Sequence, residues 1–149
     1  MYAKILIPTD GSDLANQAVV KGLELARRLG AEVVIMTVVE PFHVVAYGVA
    51  GDAHQLQSNM QAYEAQTGAH ATQVLDAAET LAKDAGVPVS TRQLHSDHPA
   101  EAIVREAEET GADLIVMASH GRRGLAALML GSQTTRVLTQ TRIPVLVLR

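Results

Sequence analysis

The chain has 149 residues, 48% of them apolar, 3% aromatic and 19% charged, with a formal net charge of −4 and no cysteine. This length suits one compact domain, taken here as residues 1–149, with a core large enough to need no staples. A disulfide framework, a thiol nucleophile and a cysteine zinc site are excluded, and the acidic balance and few aromatics speak against a nucleic-acid partner, which needs a basic face.

The first residues, MYAKILIPTDGS, lack the basic segment, apolar stretch and small-residue cleavage site of a secretory signal. No apolar run approaches the roughly 20 residues of a membrane span. With the missing cysteines, this predicts a cytoplasmic protein with no membrane partner. Lys4-Ile5-Leu6-Ile7-Pro8 reads as a strand. Asp13 to Leu29 follows as a helix, with Leu14, Ala18, Leu25 and Leu29 at helical spacing and Gly30 as its stop. Glu32 to Val39, EVVIMTVV, is a second β-branched run, and Glu40 to Ala53 is a loop. From about His54 to Ala85 the pattern is helical again. Leu56, Met60, Tyr63 and Thr67, then Ala71, Val74, Ala78 and Leu81, recur every three or four positions, with Gly68 a candidate break and Gly86 the end. Val87 to Leu94 is a strand that alternates more than the others. Ser96-Asp97-His98-Pro99 starts a helix to about Thr110, with Asp97 or Ser96 as its cap and Pro99 in its first turn. Asp113 to Ala118 is a strand, Ser132 to Thr139 a short helix, and Pro144 to Leu148 the last strand.

The order is β-α-β-α-β-α-β-α-β. The runs ILI, VVI, LIVM and VLVL are apolar without alternation, the pattern of strands covered by helices on both faces. The fold class is therefore α/β, an open, mostly parallel, doubly wound sheet. Ligands of such sheets sit outside the carboxyl ends of the strands, where strand order reverses. That singles out Pro8-Thr9-Asp10-Gly11-Ser12, Val38-Val39-Glu40-Pro41, and the stretch from Ser119 through Gly124 to Gly131-Ser132.

Glycines let backbone N–H groups approach a phosphate. The helix after Gly131 offers unpaired N–H groups and the positive end of its dipole, Ser132 adds a hydroxyl, and Arg122 and Arg123 add charge. The dipole alone is worth roughly 0.3–2 kcal/mol, so an anion site needs several N–H contacts as well. The same residues also suit plain tight turns with solvated arginines. Neither GxxxxGK[ST] nor a GxGxxG after the first strand occurs, which removes the P-loop and the dinucleotide fingerprint.

At these residues the chain resembles the small single-domain universal stress proteins. The nucleotide-binding branch of that family carries G-x2-G-x9-G-[S/T]. Here Gly121 matches the second glycine, and nine residues, Arg122 to Leu130, separate it from Gly131-Ser132. KILIPTDGSD resembles the family's first strand and its Asp, and IPVLVLR its last strand, so the likeness runs in order over nearly the whole chain. The resemblance implies a Rossmann-like five-stranded sheet of order 3-2-1-4-5 with helices on both faces. It implies that Asp10 contacts a ribose with Pro8 and Thr9 lining the same pocket, and that the backbone of Val38 reads the adenine edge. Met117 and Ala118 would lie beside the sugar. Gly121, Gly131, Ser132 and Gln133 would face phosphates. The departure is Ala118, where the motif has its first glycine. Its methyl either crowds the ribose or sits on a backbone that does not need positive φ.

The ligand so implied is ATP, with Mg²⁺ carried in by the nucleotide. A homodimer through the strand Val145–Leu148 is implied too, since a bare apolar edge would otherwise remain. The expected function is a stress sensor or regulator with at most slow ATP hydrolysis, because no base is evident beyond Asp10. The alternative is a nucleotide-free dimeric interaction module, for which Ala118 and the apolar loop 42–49 speak. An enzyme akin to the ATP pyrophosphatases has only the loose likeness of PTDGSD.

Other residues have plainer readings. Asp10 also suits a cap for the following helix, together with Ser12. Ser119 and His120 are sequence neighbours whose side chains should diverge, and no third member of a triad is evident. His95 and His98 flank a turn and do not share a helix face. Met60 and Tyr63 read as core of the long helix. The loop 42–49 either packs back on the sheet or forms a cover or partner surface.

Overall fold

The computed structural model describes residues 1–44, 52–121 and 129–149. Its elements are β1 (Lys4–Pro8), α1 (Asp13–Leu29), β2 (Glu32–Val39), α2 (Ala53–Ala85), β3 (Val89–His95), α3 (Pro99–Thr110), β4 (Leu114–Ala118), α4 (Ser132–Gln140) and β5 (Val145–Leu148). The strands form one parallel sheet of order β3-β2-β1-β4-β5, so the order reverses at β1. The strand order and the two-sided helical cover follow the pattern expected from the sequence.

Two-faced burial explains the unbroken apolar runs. Ile5, Ile7, Ile35 and Val116 pack with Val19 and Leu23 of α1 and Leu75 and Ala78 of α2. On the other face Leu6, Met36, Ile115 and Met117 pack with Ile103 and Ala107 of α3 and Val137 of α4. Neighbouring residues in a strand thus serve opposite layers.

α1 starts at Ser12, whose Oγ accepts from Ala15 N at 3.3 Å, and stops at Gly30 in the left-handed region. Its buried face is Ala15, Ala18, Val19, Gly22, Leu23 and Ala26, while the expected Leu25 and Leu29 are only partly buried. Small residues win because α1 lies close on the sheet: a Cβ on Gly22 would run into the Ile7 side chain.

α2 is longer than its buried part. Gly68 lies inside it without breaking it, a tolerated cost of about 1 kcal/mol. The buried residues of the helix begin only at Ala71. Met60 and Tyr63 are therefore not core. Tyr63 is half-buried, donates its hydroxyl to Glu40 O at 2.9 Å and sets its ring 5.3 Å from that of Phe42. Phe42 thus packs against Tyr63 of α2. β3 starts at Val89, later than the apolar pattern suggests, because Val87 N is used to end α2 by donating to Ala82 O at 3.0 Å.

The cap of α3 also differs from expectation. The N-cap is His98, with no side-chain cap bond, and Ser96 Oγ accepts from His98 N at 3.1 Å in a local turn. Ala100 N, in the first turn, finds its acceptor far along the chain in Gln133 Oε1, at 3.1 Å. Asp113 joins the start of β1 to the start of β4, accepting from Ala3 N at 2.8 Å and from Lys4 N at 3.0 Å. Burial alone would raise its carboxyl, but the N–H groups of Ala3 and Lys4 outweigh that and hold it below the usual carboxylate range.

Candidate functional site

A cleft of about 370 Å³ opens at the carboxyl ends of β1, β2 and β4, against the starts of α3 and α4. Its size and its place at the reversal of strand order suit a small-molecule site. Pro8, Thr9, Asp10, Val38, Met117 and Ala118 line it, and so do Gly121, Gly131, Ser132 and Gln133. The sequence-selected positions within the described residues thus converge on one cavity. Arg122, Arg123 and Gly124 lie outside the described residues, as do residues 45–49 of the apolar loop.

The β1 edge of the cleft is a tight turn. Thr9 N donates to Met36 O at 2.8 Å, extending the β1–β2 ladder past Pro8. Thr9 Oγ1 accepts from Gly11 N at 3.2 Å, and Asp10 Oδ1 accepts from Ser12 N at 3.0 Å. Ser12 therefore caps α1 while Asp10 shapes the turn before it. Gly11 has φ +77°, and a Cβ there would strike Val74 of α2.

The β4 edge is fastened to α4. Thr134, 2% exposed, donates its hydroxyl to Ala118 O and Ser119 O, both at 3.0 Å. Gly131 N donates to Ser119 O at 2.7 Å, and Ser119 N to Leu148 O at 2.7 Å. Gly131 has an ordinary φ of −62°. Its glycine is favoured by space, since a Cβ would lie 3.1 Å from both His120 Cα and Ser119 O. Gly121 makes the second close approach, because a Cβ there would overlap the Asp10 carboxylate. The two glycines let the turns after β1 and β4 and the start of α4 crowd around one point.

The first turn of α4 has Gly131 as its N-cap and no side-chain cap bond. Among the described residues no side chain accepts from its first N–H groups, which with the helix dipole sit at the cleft wall in an arrangement that suits an anion. Gln133 turns its Oε1 to Ala100 N and so ties the starts of α3 and α4 together. Apolar walls come from Met36, Val38, Met117 and Ile103, and Glu40 stands at the rim.

Ala118 is 8% exposed and packs with Ala15 and Ala18 of α1. No residue other than glycine has positive φ among the described residues. The alanine therefore carries no backbone strain, and its methyl is taken up by the α1 layer while Met117 faces the other way. Ser119 and His120 do not diverge as expected: Ser119 Oγ lies 3.1 Å from His120 Nδ1. Among the described residues no group of three or more His, Cys, Asp or Glu could hold a metal ion. None of their helices is long and apolar enough to cross a membrane.

Residues that the sequence did not single out for the site complete the cleft: Thr134, Met36, Ile103 and Pro99. Thr134 had one legible signal, its position three residues before the buried Val137 on a short amphipathic helix. The pairing of Gln133 with Ala100 left no trace in local spacing.

Fold and cleft together define a doubly wound α/β protein with a small-molecule-sized cleft at its switch point. The family model described as Universal stress protein family matches residues 1–149, and the chain belongs to that family. Universal stress protein MJ0531 of Methanocaldococcus jannaschii is 36% identical over 149 residues, spanning 100% of this chain and 83% of that protein. The solved structure of the hypothetical protein MJ0577, from the same organism, superposes with a TM-score of 0.71 at 27% identity, covering 99% of this chain and 96% of the other. A universal stress protein solved in complex with cAMP superposes with a TM-score of 0.68 at 26% identity, covering 99% and 97%.

Proposed function

We propose that the cleft binds an adenine nucleotide, with ATP as the expected ligand, and that the protein acts as a homodimeric sensor or regulator of the stress response in the cytoplasm. The observation that carries this reading is the meeting of Asp10, Gly121, Gly131 and Ser132 in one cleft beside the uncapped start of α4. A phosphate suits the free N–H groups there, a ribose suits Asp10, and a base suits the apolar wall of Met36, Val38 and Ile103. The related protein solved with cAMP supports the ligand class. Mg²⁺ would arrive with the triphosphate, its coordination completed by phosphate oxygens and water. The dimer reading rests on β5, which ends the sheet with Leu146 44% exposed.

The test is to denature the purified protein, identify any nucleotide released, and titrate ATP with Mg²⁺ into emptied protein by calorimetry. Binding at micromolar to low millimolar concentration is expected; no released nucleotide and no heat would sink the reading. The nucleotide-free module makes a different prediction for Ala118→Gly, namely gain of ATP binding that the parent lacks. Because the Ala118 methyl packs on Ala15 and Ala18, the expected result is that the parent binds and the glycine variant gains nothing.

A further inference from the structure

His120 lines the same cleft as Asp10, Gly121 and Ser132, yet the function proposed above gives it no task. It is half-buried, and its Cα and Cβ lie against Gly131, the residue that starts α4. Its Nδ1 is engaged by Ser119 Oγ at 3.1 Å, and Ser119 is itself 4% exposed. A hydroxyl both donates and accepts, so this contact serves the neutral ring and the imidazolium alike. With Nδ1 so held, Nε2 is the ring nitrogen left for a bound group. It stands on the turn that brings Gly121 and the first N–H groups of α4 together.

Resting on the nucleotide reading of the cleft, we infer that His120 is a charge-sensing contact for the nucleotide phosphate, donating from Nε2 and taking up a proton when the phosphate binds. Backbone N–H groups do not titrate, so on their own they bind a phosphate of fixed charge equally well at any physiological pH. A histidine added to them makes affinity depend on pH, because the cationic ring forms the stronger, charge-assisted bond. The sign follows directly: the bound state holds more protons than the free state, so binding tightens as pH falls. For a contact that raises the ring's proton affinity tenfold, affinity improves about fivefold between pH 8 and pH 6.

The other titratable groups lining the cleft are Asp10 and Glu40, both carboxylates. Gly131 and Ser119, which pack against the ring's residue, carry no charge. Arg122 and Arg123, next along the chain, keep their charge throughout the window.

The ligand for the test is cAMP, because its phosphodiester, unlike the terminal phosphate of ATP, does not titrate between pH 6 and 8. Calorimetry of cAMP on the full chain at pH 6 and pH 8, in buffers of different ionisation heat, reads both affinity and protons taken up. The expected result is about fivefold tighter binding at pH 6 with net proton uptake, and loss of both in His120→Gln. Proton uptake by the parent protein needs no variant, so it stands even if the substitution impairs folding. Binding that is independent of pH, or a pH slope unchanged in His120→Gln, overturns the inference while leaving the nucleotide reading intact. No binding of either cAMP or ATP at both pH values overturns the nucleotide reading and this inference with it.

Discussion

Two glycine-to-alanine changes should move stability in opposite directions. Gly131 has φ −62°, which alanine adopts freely, so any cost of Gly131→Ala comes from space. The new methyl would meet His120 Cα and Ser119 O at 3.1 Å and His120 Cβ at 3.3 Å. Two of these three atoms are backbone, and Ser119 O already accepts from Gly131 N and Thr134 Oγ1. Relief by a side-chain rotation is therefore closed, and the turn after β4 must shift. Overpacking of this kind costs about 1–3 kcal/mol, offset by about 0.4–1 kcal/mol from the stiffer unfolded chain. The net expectation is a loss of about 0.5–2 kcal/mol, or roughly 2–6 °C in Tm at this chain length. Gly68→Ala is the control. That residue lies inside α2 and its Cβ would meet nothing within 4 Å, so alanine should gain about 0.5–1 kcal/mol. Urea denaturation of both variants beside the parent measures the two signs. If Gly131→Ala proves as stable as the parent, the close packing of Gly131 on the β4 turn is not a constraint and the spatial argument fails.

Thr134→Val keeps the shape of a buried side chain but removes the hydroxyl that serves Ala118 O and Ser119 O. A loss of about 1–3 kcal/mol is expected in urea denaturation, with Thr134→Ser recovering most of it. Asp113→Asn probes the acid limb of stability. The Asp113 carboxyl is held below its usual range by the N–H groups of Ala3 and Lys4 despite the opposing effect of burial. Its contribution is therefore complete above the unfolded-state value near pH 4 and lost as pH falls through the lower folded value. The asparagine variant should be about 1 kcal/mol less stable at neutral pH and should converge with the parent as the solution is acidified. A constant gap down to pH 2 in thermal melts would contradict the ion-dependent account.

The order of elements was legible partly because two helices end in local chemistry that the sequence shows: Gly30 and Gly86 sit in the left-handed region at the stops of α1 and α2, as Gly111 does at that of α3. The strands were legible because burial on both faces leaves no polar alternation to confuse them. The candidate site was legible where close approach leaves little room for a side chain, at Gly121 and Gly131. Where partners come from distant chain, local pattern fails. Nothing near Pro99 foretells that Gln133 supplies the acceptor for Ala100 N. Tyr63 sits at helical spacing with Met60, yet no core lies beneath it, because the stripe of α2 becomes buried only from Ala71. Ala118 was ambiguous for the same reason: a methyl crowds a sugar or fills a helix layer according to which side of β4 it takes.

The Asp113 tether, spanning 110 residues to Ala3, bears on how the chain reaches this fold. β1 is the first strand made and lies at the centre of the sheet, yet one of its two neighbours, β4, follows only after α3. During synthesis β1, β2 and β3 can zip together early, leaving one long edge of β1 open. That edge closes when β4 arrives to pair Ile5 with Leu114 and Leu6 with Ile115. The slow step of folding should thus be this long-range closure, and the species at risk of aggregation is the one with the central strand still exposed.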